Sequence, residues 1–133
     1  MVLSAILAAL SASSGVAFDA ARAPGAWASA ETPEACATAP ISMFFSDGSV
    51  AVFESATGSL HAIGVWRIEG DQLVMTHNDA PFEQGGVARP ASMLQIVELS
   101  TNRFVTANPE GKQRVRVRCT GLVLPHGAAG RAH

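Results

Sequence analysis

From residue 24 onward the chain alternates short apolar runs with clusters of Gly, Asp, Asn, Ser and Pro, and little in it recurs at helical spacing. Ile41-Ser42-Met43-Phe44-Phe45 reads as a strand and runs into Asp47-Gly48, a pair that favours a tight hairpin turn. Further strands are predicted over 50–54, 62–68, 72–77, 92–99, 103–107 and 112–120, with a first strand around Trp27. Residues 78–90 form the longest irregular segment. The pattern therefore predicts an all-β domain over 24–124, with about eight antiparallel strands joined mostly by short hairpins. A closed meander barrel leaves no unpaired edge and is the expected architecture. An open β-sandwich is the alternative.

Alternation within single strands assigns faces. In the third run Gly64, Trp66 and Ile68 share one side, expected inward, opposite Val65, Arg67 and Glu69. In the last run Lys112, Arg114, Arg116 and Arg118 alternate with Gln113, Val115, Val117 and Cys119. The valine face is expected to meet the core, and the basic row, with successive members ~6.8 Å apart, to meet solvent or an anionic partner. Trp66, Phe44, Phe45, Met43, Leu73 and Met75 suffice to fill a small barrel completely, in which case no ligand cavity remains.

The first residues change the picture of where the protein acts. Val2 to Leu10 is an apolar run too short to cross a bilayer of ~30 Å, and small residues through Ala17 follow it, as behind the core of a secretory signal. Residues 1–23 are thus expected to comprise a signal peptide and a mature N-terminal arm, although no Lys or Arg precedes the apolar run. Export to the periplasm or beyond is the expectation. No other segment is apolar for ~18 residues, so a membrane-spanning helix is not expected. The two cysteines, Cys36 and Cys119, suit an oxidising compartment and are expected to form a disulfide. Residues 125–133 are small and polar and are expected to be disordered.

The 133 residues carry 9 Lys+Arg against 11 Asp+Glu, a formal net charge of -2, which argues against a nucleic-acid binder. Tyr is absent, so stacking platforms for bases are not expected either. His77 and Asp79, with His61, are candidate metal ligands, against which stands a simple polar turn. No Gly-x-Ser-x-Gly elbow, paired-carboxylate site or phosphate loop is present, so neither catalysis nor a cofactor is expected. Phe82, between Pro81 and Glu83, is expected either at an exposed partner-binding tip or folded back as a lid over one barrel end.

Gly25-Ala26-Trp27 at the start of the first strand, with the Gly64-Val65-Trp66-Arg67-Ile68-Glu69-Gly70-Asp71-Gln72-Leu73 segment, resembles the small bacterial lipocalin-like (calycin) barrels. The resemblance implies that Trp27 plugs the closed barrel end and that Arg116 or Arg118 packs across it. The chain is also similar to the periplasmic inhibitors of serralysin-type metalloproteases, small barrels with one disulfide. That similarity implies a free N-terminal segment, here residues 18–23, reaching the protease zinc. The chain departs from true lipocalins in being much shorter and from the inhibitors in the placement of its cysteines. The functional expectation is non-catalytic binding of a small apolar ligand or a protein partner through Trp27, Trp66, Phe82, Arg114, Arg116 and Arg118, with no commitment on oligomeric state. Protease inhibition and a structural or stress-related envelope role are the alternatives.

Overall fold

A computed structural model describes residues 17–122. Its strands are β1 (Gly25–Ser29), β2 (Ile41–Phe44), β3 (Ser49–Phe53), β4 (Leu60–Glu69), β5 (Gln72–Asp79), β6 (Val87–Ala88), β7 (Ser92–Leu99), β8 (Arg103–Ala107) and β9 (Gln113–Cys119). Each of the eight longer strands pairs antiparallel with its neighbours in the meander, and β1 pairs with β9 to close the barrel. The closed all-β architecture expected from the turns and alternation is present. The two-residue β6 has no counterpart among the predicted strands; it adds to β5 through Asn78↔Ala88 and Asp79↔Val87, and the Arg89–Asp79 ion pair lies beside it. The expected signal peptide and the tail from 125 onward lie largely outside the described residues.

Barrel closure needs local departures from ideal pairing. A Cβ on Gly64 would lie 1.7 Å from the Thr76 carbonyl oxygen, so only glycine allows β4 and β5 to approach so closely. Register shifts at Val52/Phe53 and between Ile96 and Glu98 mark irregularities that bend β3 against β4 and β7 against β8.

Two apolar clusters hold the fold. The inner one gathers Trp27, Phe44, Leu73, Ile96, Leu99 and Phe104, with Phe18, Trp66 and Ile68 packed against it. Trp27 and Trp66 both point inward, and each indole N–H is satisfied by a carbonyl: Trp27 Nε1 donates to Ala23 at 2.8 Å and Trp66 Nε1 to Phe45 at 2.9 Å. The outer cluster lies on the other side of the sheet and gathers Ala28, Ile41, Phe53, Val117 and Cys119. The segment between β1 and β2, including the 3₁₀ turn Pro33–Ala37, packs on this outer face. The Cys36–Cys119 disulfide ties that turn to β9.

The outer cluster overturns one expectation. The valine face of β9 does meet apolar material, but on the outside of the barrel, so Arg116 and Arg118 turn inward rather than to solvent, while Arg114, on the same face, stays exposed at the barrel rim. The physical reason is that the Cys36 segment covers the outside of β1, β2 and β9. The same layout corrects the filling argument, because Met43 and Phe45 belong to the outer cluster and do not fill the interior.

Candidate functional site in the barrel mouth

The two ends of the barrel differ. At one end Phe18, Ala23, Trp27, Phe44 and Phe104 pack densely, with Trp27 and Phe104 edge to face at 5.5 Å. Arg118, paired with Trp27 in the β1–β9 register, lays its guanidinium 4.2 Å from the Trp27 ring centroid. It also donates to the carbonyls of Thr101 (2.6 Å), Pro24 (3.0 Å) and Arg22 (2.7 Å). Gly25 makes room for it: a Cβ there would lie 2.3 Å from Arg118 Nη1, and the backbone φ of +132° suits glycine.

At the other end the interior stays open. A cavity of about 450 Å³ is lined by residues from several strands, among them Ser42, Val52, Met75, His77, Leu94, Thr106 and Arg116. Each faces inward because it shares strand parity with a residue of the inner cluster: Ser42 with Phe44, Val52 with Val50, His77 with Met75, Thr106 with Phe104. Lys112, Gln113 and Arg114 line it as well, and Arg114 Nη1 donates to Ser29 Oγ at 3.1 Å.

Arg116 is the charged group set deepest in this cavity. It is 4% exposed, its Nη1 donates to Thr106 Oγ1 at 3.0 Å, and its Cζ lies 5.5 Å from the Phe104 ring centroid. Its Nε is buried without a hydrogen-bond partner. The ion pairs among the described residues are Arg67–Glu69, Arg89–Asp79 and Arg103–Glu98, so Arg116 has no counter-charge. No Asp or Glu lines the cavity. Burial, helped by the Arg114 charge, lowers the Arg116 pKa to about 10, which leaves it cationic at neutral pH. His77 Nε2 is the other buried polar atom in the cavity wall without a partner. Burial lowers the His77 pKa from its ordinary value; Asp79 opposes this, and Arg89, Arg116 and His61 reinforce it. The imidazole is therefore neutral at neutral pH.

The expected site residues are dispersed. Arg114 and Arg116 line the mouth cavity, whereas Trp27 and Arg118 belong to the closed end and Trp66 packs against Phe44 at 5.5 Å. Phe82 is half-buried and neither caps the barrel nor stands free. It lines an outer groove of about 590 Å³ over β3 and β4, with Phe45, Leu60, Ile63 and Val65. That groove is larger than the mouth cavity, yet it is an open apolar surface and holds no charged group. Among the described residues no three His, Cys, Asp or Glu side chains gather as a metal set; His61 is exposed and Asp79 is bound to Arg89. His77, a candidate metal ligand by sequence, instead lines this cavity; Ser42, Ser92, Thr106 and Asn108 are the polar cavity residues that no motif marked, and strand parity is the one signal that would have found those on strands.

Among the described residues no helix is long and apolar enough to cross a membrane. Comparison with protein-family models, curated proteins and solved structures gives no match.

Proposed function

We propose that this chain is an exported, non-catalytic binding protein that holds a small ligand in the open mouth of a lipocalin-like barrel. One observation carries the reading: a cavity of about 450 Å³ in which apolar wall residues surround buried polar atoms that have no partner. Ligand sites commonly combine an apolar lining with a few fixed polar groups. The Cys36–Cys119 disulfide and the apolar run of residues 2–10 support a periplasmic or secreted location.

The protease-inhibitor alternative asks for a free N-terminal arm. Here Phe18 packs against the inner cluster and donates its backbone N–H to the Gly70 carbonyl at 3.1 Å, which favours the ligand reading. The outer groove, where Ile63 is 41% and Val65 55% exposed, supports a second reading in which a protein partner covers that face.

Native mass spectrometry of the protein purified from the periplasm tests the proposal. The expected result is a bound mass that departs on denaturation. A bare chain whose amide NMR signals at Val52, Met75, His77 and Thr106 also ignore added octanoate and octanol would overturn it.

A further inference from the structure

The small-ligand reading above leaves the chemistry of the ligand open, and Arg116 narrows it. A buried cation without a counter-charge is costly, because desolvation is repaid by neither an ion pair nor a full set of hydrogen bonds. The neighbouring Arg118 shows how this fold surrounds a guanidinium that holds the structure together, with three carbonyl acceptors and an aromatic face. Arg116 receives one hydroxyl and an aromatic face. With Nη1 engaged by Thr106, its free Nε lies on the edge that presents a side-on fork, the geometry that takes a carboxylate through two parallel hydrogen bonds.

The rest of the cavity agrees with that arrangement. Val52, Met75 and Leu94 supply apolar wall, which suits an organic body more than a bare inorganic ion. Lys112 and Arg114 add positive charge where the cavity is exposed, and no carboxylate in the lining competes for it. Charges of one sign around a low-dielectric cleft draw in the opposite charge.

We propose that the mouth cavity binds a small organic monocarboxylate, its carboxylate on the Arg116 guanidinium and its apolar body against Val52, Met75 and Leu94. This rests on the small-ligand reading. The two are separable because one concerns the cavity and the other the charge of what enters it.

Isothermal titration of the folded, disulfide-bonded protein with octanoate, octanol and inorganic phosphate provides the test. Octanoate is expected to saturate a single site and to bind roughly 10- to 100-fold more tightly than octanol, the range of a charge-assisted hydrogen-bond pair. Arg116→Met is expected to remove that preference, and Arg116→Lys to restore part of it. A purely structural role for Arg116 would instead leave the octanoate-to-octanol ratio unchanged in the variants. Equal binding of octanol and octanoate to the native protein overturns the carboxylate proposal while the ligand reading stands. Binding of phosphate but not octanoate overturns it in favour of an inorganic anion. If none of the three binds and the cavity residues show no NMR response, both proposals fall. The native-protein comparison of octanoate with octanol decides the matter even if neither variant folds.

Discussion

Arg116 and Arg118 stand two residues apart on the same face of β9, and the barrel surrounds them in opposite ways. Arg118 joins β9 to the N-terminal segment and to the loop before β8 through three carbonyls, and it lies across Trp27. Arg116 is more deeply buried yet has one side-chain hydroxyl and a ring as its partners. Their residue type and strand are the same, so the difference lies in what the two ends of the barrel supply. The closed end is saturated with partners and aromatic packing. The open end leaves polar atoms unpartnered beside a cavity, an arrangement that stability alone does not reward. Paired and unpaired copies of one side chain thus separate a structural arginine from a binding one within a single strand.

If the closed end carries stability, truncation there should cost far more than at the mouth. Trp27→Ala removes a fully buried indole and its hydrogen bond to Ala23, and should lower the unfolding free energy by about 3–5 kcal/mol. Val52→Ala, in the half-buried cavity wall, should cost less than about 1 kcal/mol. Urea unfolding of both variants checks this, and similar losses would break the distinction between the two ends. Arg118→Leu should rank between them, at about 1–3 kcal/mol, because it strips the acceptors Thr101, Pro24 and Arg22 of their donor and removes the contact with Trp27.

The strands were readable because turn residues punctuate them and period-2 alternation runs through the best ones, such as the Gly64-Trp66-Ile68 side of β4. Gly25-Ala26-Trp27 was readable as a unit, although the reason for its glycine, the space that Arg118 occupies, needed the fold. The site was not readable from β9, because an Arg/Val alternation looks identical whichever face is inside. What settles it is a cover contributed by another part of the chain: the Cys36 segment packs over Val117 and Cys119 and sends the arginines inward. Nor does a motif mark the cavity as a whole, since β2, β3, β5, β7 and β8 each contribute only one or two residues to it, and of these His77 alone carries a candidate chemistry in the sequence, as a metal ligand. Strand β6 is not legible in the sequence because two residues held by pairing and a neighbouring ion pair leave no periodic signal.

The two arginines should differ in the sign of their effect on stability. Arg116→Met replaces an unpaired buried cation with an apolar side chain of similar length, at the loss of the Thr106 hydrogen bond. Such replacements are often neutral or stabilising, so the unliganded protein should gain about 1 kcal/mol or stay level. Arg118→Leu should move the thermal midpoint the other way. A drop with both variants would place Arg116 among the structural groups.

The smallest effect concerns His77, the other cavity group with an unpartnered buried nitrogen. Its folded pKa lies below its ordinary value, burial being the main cause. As pH falls below about 6.5, the unfolded chain takes up a proton at His77 before the folded chain does. The unfolded state then binds more protons, so stability declines with falling pH until the folded pKa is reached, and levels off below it. The groups acting on the imidazole are Asp79, Arg89, Arg116 and His61, and all remain in a His77→Gln variant. Thermal midpoints at pH 7 and pH 5 should therefore fall further for the native protein than for His77→Gln. A carboxylate seated on Arg116 adds negative charge to the same cavity, raises the His77 pKa and should narrow that difference when octanoate saturates the site. An acid response that is the same with and without octanoate would mean that the bound carboxylate lies away from His77, and hence away from the cavity wall that the two residues share.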